Sequence, residues 1–196
     1  MATRRDPGTA NRVLDVAERL VQVRGYNAFS YADVAAAVGV QKASLHHHFP
    51  GKADLGAALV ARYHRAFFDE LHAMTAKTRA PAARLKRYVA VYGSVLRRNR
   101  MCLCGMLASD VATLPKAMRE GLQRFFAENE IWLRGVLEEG RERGELRFDG
   151  PAAPVASFIV SSLEGAMLVA RGSGKLDRFD RVAERLLDVI GARRRS

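Results

Sequence analysis

Apolar residues recur along most of the chain at intervals of three and four residues, the spacing of one face of a helix. Near the N-terminus this stripe is formed by Val13, Val16, Ala17, Leu20 and Val21. A second stripe near the C-terminus consists of Phe179, Val182, Ala183, Leu186, Leu187 and Ile190. No segment alternates between apolar and polar residues as a half-buried strand does. The pattern predicts an all-α fold of about nine helices.

Capping residues, glycines and prolines divide this pattern into segments. Thr9 and Gly25 bound the first predicted helix. Ser30, with Asp33 three residues later, begins the second, which ends before Gly39. The predicted helices after the first cover residues 31–38, 42–49, 52–74, 81–97, 101–114, 116–143 and 155–170, followed by the C-terminal stripe.

Two short predicted helices joined by a turn at Gly39 form the pattern of a helix-turn-helix, whose second helix enters the major groove of DNA. The second helix is expected to present Lys42, Ser44, His46 and His47 outward, and it contains no acidic residue, which suits a helix that approaches phosphates. The apolar residues expected to lock the two helices together are Val34, Ala35, Val38, Val40 and Leu45.

This segment resembles the DNA-binding signature of the TetR family of transcriptional repressors. That signature has a Ser or Thr cap, Ile/Val-Ala, Gly-Val, a Leu-aromatic-x-His-Phe run and Lys-x-x-Leu. The resemblance covers about residues 9–56, and the length and helix number of the chain fit the rest of the family. The matching residues are Ser30, Val34-Ala35, Gly39-Val40, Leu45, His48-Phe49 and Lys52-x-x-Leu55, preceded by Gly25-Tyr26.

The resemblance implies a role for each matching position of the second helix and its flank. Lys42, Ala43 and Ser44 lie where the family's recognition helix contacts bases. His48 and Lys52 lie where it contacts phosphates, and Lys52 also begins the next helix, whose N-terminus attracts anions.

Further positions complete the expected DNA-binding set. Ser30 caps a helix that is expected to lie against the phosphate backbone, and Tyr31 is expected to add a phosphate contact. The chain departs from the family pattern at His46, where Tyr is usual, at Ala43, often Gly, and at Gln41, often Ser or Thr.

The resemblance also implies two domains and a dimer. A three-helix DNA-binding domain is expected at residues 1–56, and a sensing and dimerisation domain at residues 57–196. Two recognition helices about 34–36 Å apart read a palindromic operator, and an inducer favours a state with the wrong spacing. The expected interface residues in the last two helices are Phe158, Leu163, Gly165, Ala166, Phe179, Val182, Leu186 and Ile190.

An inducer pocket is expected among the middle helices, where aromatic and methionine side chains are frequent. For each of these residues, a plain role in the hydrophobic core is the alternative, and none of them identifies a ligand. The candidates are Tyr88, Tyr92, Met101, Met106, Phe125, Phe126, Trp132 and Met167.

Cys102 and Cys104 are the only cysteines, and a pair separated by one residue on a helix is poorly placed for a disulfide. The stretch around them resembles a TetR branch in which a cysteine at the position of Cys102 senses electrophiles or oxidants. A helix N-terminus and nearby arginines are expected to stabilise its thiolate. The alternatives are a buried core cysteine or a soft-metal site for which no further ligand is evident.

Composition restricts the remaining possibilities. The chain has 196 residues and a net charge of +11, but residues 1–56 hold seven basic and five acidic side chains, a net of only +2. The motif therefore supports DNA binding more strongly than the charge does. No run of about 18 apolar residues predicts a membrane helix, and the N-terminus lacks the apolar region of a secretory signal, so a cytoplasmic protein is expected.

Enzymatic and metal-binding motifs are not found. Consecutive residues on a helix point about 100° apart, so His46, His47 and His48 cannot converge on one metal ion. No cofactor is expected. The alternative to an inducible repressor is a helical small-molecule-binding or interaction protein without specific operator binding, and salt-sensitive binding to one DNA sequence separates the two.

Overall fold

The computed structural model describes residues 7–192; the N-terminal residues examined for a signal sequence, 1–6, and residues 193–196 lie outside the described part. Within it the chain forms nine α-helices and no strand. The helices are α1 (Pro7–Arg24), α2 (Tyr31–Val38), α3 (Lys42–His48), α4 (Lys52–Lys77), α5 (Pro81–Arg97), α6 (Leu103–Ser109), α7 (Lys116–Glu142), α8 (Ala152–Gly172) and α9 (Asp177–Val189), with a 3₁₀ helix at Val111–Thr113 before α7.

The all-α prediction is confirmed, and several of its boundaries are corrected. Thr9 lies within α1 and does not cap it, and α4 extends to Lys77. The helix expected over residues 101–114 is limited to α6, so Cys102 lies before it. Beyond α6, the Ser109 and Thr113 hydroxyls donate to the carbonyls of Met106 and Asp110, which competes with the regular helical ladder. Helix α8 begins earlier than expected because Pro154 falls in its first turn, where a missing N–H group costs little.

The chain divides into two compact units. The first contains the described residues up to Arg65 together with Leu103–Gln123, and the second contains Ala66–Cys102 and the described residues from Arg124 onward. This division differs from the expected boundary between residues 56 and 57, because α4 is continuous across that point and α6 packs against α1. The chain passes from the second unit to the first at the peptide bond between Cys102 and Leu103.

The first unit is held by an apolar core and by ion pairs between its helices. Val13 of α1, Val34 of α2 and Leu45 of α3 are fully buried. Arg62 of α4 pairs with Asp15 at 2.6 Å and with Glu18 of α1 at 2.9 Å. These contacts fix α1 and α4 around the two short helices.

In the second unit, α8 packs on α9, and both contact α5. Leu85, Leu163 and Phe179 are among the side chains buried there. The buried Arg84 guanidinium donates to the Glu139 carboxylate at 2.5 Å and to the Thr78 carbonyl at 2.7 Å. The buried charge of this arginine is therefore paired and hydrogen-bonded, which offsets the cost of removing it from water.

Helix α8 is also long and apolar enough to cross a membrane, when length and composition alone are considered. Core helices of globular proteins often have the same length and composition. In this helix 39% of the most apolar window is buried inside the protein.

We expect Gly39→Ala to lower the free energy of unfolding by about 1 kcal/mol. Gly39 has φ +76°, and nothing lies within 4 Å of an added Cβ, so the cost comes from the backbone alone. Urea denaturation followed by circular dichroism measures the change. Gly135→Ala is the control: this site in α7 is also open but has no positive φ, so the same methyl group should stabilise the helix. Equal effects of the two substitutions would contradict the conformational explanation.

Candidate functional site

A capping box fixes the start of α2. The Ser30 hydroxyl accepts a hydrogen bond from the Asp33 N–H at 3.2 Å, and the Asp33 carboxylate accepts one from the Ser30 N–H at 2.6 Å. These bonds hold the pKa of Asp33 below its usual range. At the other end of α2, the left-handed Gly39 turns the chain toward α3. The predicted cap and turn therefore have the expected geometry.

Helix α3 is held by one apolar anchor and leaves most of its surface accessible. Leu45 is fully buried, whereas Lys42, Ala43, His46 and His47 are exposed. The remaining predicted contacts, Ser44 and His48, are half-buried. The exposed residues include two of the three that were expected to contact bases.

Tyr31 and His46 form a stacked pair that supports the turn after α3. The rings are 4.9 Å apart and inclined by 28°. The buried Tyr31 hydroxyl lies 2.7 Å from the Phe49 carbonyl and 2.8 Å from the Gly51 carbonyl, to which it donates. Burial, with a smaller effect of Asp54, raises the pKa of Tyr31 to about 12. The structure thus gives the Tyr31 hydroxyl partners inside the protein, where the sequence predicted a phosphate contact.

His46 also has a partner inside the first unit. Its Nδ1 lies 2.9 Å from the Pro50 carbonyl oxygen. A carbonyl can only accept, so Nδ1 is the donor in this hydrogen bond. His46 therefore braces the turn where the family usually has Tyr.

Lys52 begins α4, and its ammonium group is used within the protein. Nζ donates to the Phe29 carbonyl at 2.5 Å and lies 4.5 Å from the Tyr26 ring centroid and 4.3 Å from that of Phe29. Partial burial lowers its pKa. These cation–π and hydrogen-bonding contacts hold the loop between α1 and α2. Any phosphate bound by this side chain has to compete with them.

Asp110, which was not predicted from the sequence, joins the segment after α6 to the loop between α1 and α2. Its carboxylate accepts a hydrogen bond from the Tyr26 N–H at 2.9 Å. Beside it, the Asn27 side-chain amide donates to the Thr113 hydroxyl at 2.8 Å. The only signal in the sequence was that Ser109 and Asp110 follow an apolar segment. Nothing in the sequence indicated that Asp110 bonds the Tyr26 N–H group.

The second unit contains a closed ring of hydrogen bonds among Tyr88, Tyr92 and Asn129, all buried. The Tyr88 hydroxyl donates to the Asn129 side-chain carbonyl at 3.0 Å, and the Asn129 amide donates to the Tyr92 hydroxyl at 3.3 Å. The hydroxyl of Tyr92 then donates to that of Tyr88 at 3.1 Å. Each hydroxyl proton is committed inside the ring, and burial raises the pKa of both tyrosines.

Glu164 of α8 lies near this ring, although the sequence analysis did not select it. Both of its carboxylate oxygens are inaccessible to solvent, and no described N–H or O–H group donates to them. Burial raises the pKa of Glu164 to about 7, an increase that the nearby Cys102 thiol partly offsets. Cys102 is only 4% exposed, and Arg97, one of the arginines expected to activate it, pairs with Asp180 at 3.3 Å.

Some of the predicted sensing residues come together and others do not. Trp132 stacks on Tyr88 with ring centroids 5.6 Å apart, and Phe125 and Met167 are buried in the same unit. Cys104 and Met106 belong to the first unit, and Met106 lies near Gly25. Cys102 and Cys104 are both outside any disulfide. Across residues 7–192, no three His, Cys, Asp or Glu side chains are grouped so as to hold a metal ion.

The predicted interface residues in α8 and α9 divide into two groups. Leu163, Phe179, Leu186 and Ile190 pack inside the protomer, and Ala166 is 7% exposed, because α8 and α9 use these positions to contact each other and α5. Phe158, Gly165 and Val182 are exposed. We define the α8–α9 surface by the exposed apolar side chains Phe158, Val169, Val182 and Val189, which line one cavity; Val169 and Val189 were not predicted from the sequence.

The first unit thus has the features of a helix-turn-helix DNA-binding module within an all-α protein. Comparison with known proteins identifies the family. Residues 13–59 match the pattern of bacterial regulatory proteins of the tetR family, and residues 81–186 match the tetracyclin repressor-like C-terminal domain. The chain belongs to the TetR family of transcriptional regulators.

Individual relatives agree with this assignment. A TetR-family regulator from Agrobacterium tumefaciens superposes with a TM-score of 0.90 at 32% identity, covering 93% of this chain and 97% of its own. The transcriptional repressor DhaR of Mycobacterium sp. is 29% identical, with 80% of each chain covered. The transcriptional regulator AcuR of Cereibacter sphaeroides is 31% identical, covering 76% of this chain and 69% of its own.

Replacing Glu164 tests its environment through the pH dependence of stability. The pKa of Glu164 is about 7 in the folded protein and 4.5 in the unfolded chain. Ionisation of this carboxyl therefore lowers the free energy of unfolding as the pH rises between these two values. We expect Glu164→Gln to add about 3 kcal/mol to the free energy of unfolding at pH 8 and nearly nothing at pH 4.5. Urea titrations at the two pH values measure this, with the exposed Glu138→Gln as control. A difference that does not vary with pH would show that Glu164 is ionised normally.

Proposed function

We propose that the protein is a repressor that binds a palindromic operator as a homodimer and leaves it when an inducer, either a small molecule or a thiol-reactive compound, acts on the second unit. The observation that carries the proposal is the exposed outer surface of α3. The buried Leu45 anchors this helix in the core, and a capping box fixes the start of the preceding helix α2. The relative DhaR is named a transcriptional repressor, which supports repression over activation. A regulator of this kind acts in the cytoplasm and has no catalytic step of its own.

Base recognition is assigned to the N-terminal half of α3. Lys42 has a flexible ammonium group suited to guanine acceptors in the major groove, and Ser44 can donate or accept. Ala43 permits close approach or contact with a thymine methyl group. His47 and His48 follow on the same short helix and are assigned to the backbone. The helix has no acidic residue that would repel a phosphate.

The α8–α9 surface is assigned to the dimer. It exposes apolar side chains, with Phe158 and Val189 both 50% exposed, on the two helices that the family uses to dimerise. No atom lies within 4 Å of a Cβ built on Gly165, so a second helix can approach there. Helix α9 carries arginines and acidic residues together, which allows charge pairing across a twofold axis.

Release is assigned to the segment between Cys102 and Thr113. Leu103 begins α6 directly after Cys102, and Asp110 bonds the loop that precedes α2. A ligand that favours another position of this segment weakens operator binding by its difference in affinity for the two states.

A second candidate is a helical small-molecule-binding or interaction protein without specific operator binding. Two observations favour it: the Lys52 ammonium and the His46 ring are bonded inside the protein, so two expected DNA contacts have other partners. A gel shift on the flanking intergenic DNA over a range of salt concentrations separates the candidates. If random competitor DNA abolishes the shift as easily as unlabelled DNA of the same intergenic sequence does, the binding is not specific and the second candidate is favoured.

We expect Lys42→Ala to weaken binding to the operator by about tenfold or more, which corresponds to the 1–3 kcal/mol of a base contact. Binding to random DNA should change less. Fluorescence anisotropy with both DNAs measures the two affinities. Lys86→Ala removes the same charge from an exposed site in the second unit and serves as control. Equal losses on both DNAs would assign Lys42 to the phosphate backbone.

For the dimer, we expect sedimentation to give about twice the chain mass of 21.6 kDa and Val169→Asp to give the monomer. Val169 is 49% exposed on the α8–α9 surface, so a carboxylate there is unfavourable only if the surface becomes buried. Ile131→Asp is a matched control, because Ile131 is 57% exposed on α7. A monomeric wild-type chain at micromolar concentration would overturn the dimer.

A further inference from the structure

Glu164 is a buried carboxylate in the second unit for which the described part of the chain provides no partner. Val160 and Met167, one turn before and after it on α8, are buried, so this residue lies on the inward face of the helix. Neither carboxylate oxygen is accessible to solvent, and neither has a hydrogen-bond partner among residues 7–192. An unpaired buried carboxylate is costly, and such groups are enriched at functional sites.

The same unit supplies a full set of partners to its buried cation. The Arg84 guanidinium donates to the Glu139 carboxylate at 2.5 Å and to the Thr78 carbonyl at 2.7 Å. None of the ion pairs formed within residues 7–192 includes Glu164. A cation that balances the ionised Glu164 therefore has to come from outside the described chain.

The hydrogen-bonded ring of Tyr88, Tyr92 and Asn129 does not supply the missing donors. Helix α8 packs on α5, which carries both tyrosines. The ring uses both hydroxyl protons and one amide proton among its own members. Burial raises the pKa of both tyrosines, and the negative charge of Glu164 adds to the rise. The hydroxyls thus respond to the charge of Glu164 while their protons are bonded elsewhere.

Aromatic side chains extend from this ring through the second unit. Tyr88 stacks on Trp132 with ring centroids 5.6 Å apart. Phe67 lies 6.4 Å from Tyr88 and 4.9 Å from Phe125, measured between ring centroids. Aromatic faces attract organic cations and also bury apolar groups. A carboxylate beside such a cluster suits a ligand that has a cationic head and an apolar body.

We infer that Glu164 binds the head group of an inducer that is a protonated primary amine with an apolar body. A primary ammonium group brings one positive charge and three N–H donors, which are the two things that the carboxylate lacks. A quaternary ammonium ion has no N–H to donate, and an alcohol has no charge. An anionic ligand would add a second negative charge to the interior.

This inference deepens the proposed function, because it rests on release by a small-molecule inducer and names the chemical class of that molecule. The Glu164 oxygens are inaccessible in this structure, so an amine reaches them only after local opening of the second unit. A ligand that binds only the opened state shifts the population toward that state. Binding at Glu164 is therefore coupled to a conformational change.

The test compares phenethylamine with phenethyl alcohol, which share one carbon skeleton and differ in charge. Hexylamine and hexanol form a second pair with a slimmer body. Each compound is titrated into the full-length protein at pH 8, where a primary amine is protonated and Glu164, with a pKa of about 7, is ionised. The fluorescence of Trp132, the only tryptophan, reports binding. In at least one pair the amine should bind about tenfold or more tightly than the alcohol.

Glu164→Gln removes the charge and keeps the shape of the side chain. It should weaken binding of the amine by about tenfold or more and leave binding of the alcohol within about twofold. Glu138→Gln is the matched control, because it removes an exposed carboxylate from α7 in the same unit. That variant should bind the amine as the wild type does.

Equal amine affinities in the wild type and Glu164→Gln would overturn the inference, as would the failure of both amines to bind at millimolar concentration. If Glu164→Gln does not fold, the comparison of amine with alcohol in the wild type decides. Gel shifts with and without the amine separate this inference from the proposed function. Glu164-dependent binding that leaves the operator complex intact supports the amine site and refutes release through it, whereas the absence of any operator binding refutes the repressor.

Discussion

The orientation of α3 depends on hydrogen bonds that Tyr31 and His46 donate to the turn after it. Helix α3 has seven residues and one fully buried side chain, so neither its length nor its core contact can hold it in place. The Phe49, Pro50 and Gly51 carbonyls accept bonds from these two side chains. A helix positioned in this way keeps its outer surface exposed, as the proposed base recognition requires.

Much of the fold followed from periodicity and helix-ending residues. The bounds of α2 were predicted correctly, because Ser30, Asp33 and Gly39 are strong local signals. The end of the helix after Met101 was not predicted correctly, because the apolar composition of this segment suggested one continuous helix. The Ser109 and Thr113 hydroxyls bond backbone carbonyls there, and these bonds are visible only in the folded chain. The two units could not be predicted either. Leu103–Gln123 joins the first unit through contacts with segments far away in the sequence, and the spacing of apolar residues carries no information about such contacts.

The candidate site was predicted less completely than the fold. The physical reason is different for the residues around α3 and for the buried polar residues of the second unit. Of the residues predicted from spacing to face outward on α3, Lys42, His46 and His47 are exposed and Ser44 is half-buried. The internal partners of Lys52 and His46 could not, because a backbone carbonyl has no signature in the sequence. Asn129 escaped notice because it is one of many polar residues on α7, and Glu164 because one carboxyl group on α8 gives no local signal of its partners. Their importance arises from burial beside Tyr88, Tyr92 and Cys102.

The α8–α9 surface has a genetic consequence if two copies pair through it. Its apolar residues lie in the second unit, whereas α3 lies in the first. A subunit with a damaged α3 would still pair with normal subunits and would leave each mixed dimer able to contact only one half-site. When both kinds are made in equal amounts, about a quarter of the dimers would contain two intact recognition helices. Mutations in α3 would therefore be dominant, whereas a subunit that could not pair would leave the others unaffected.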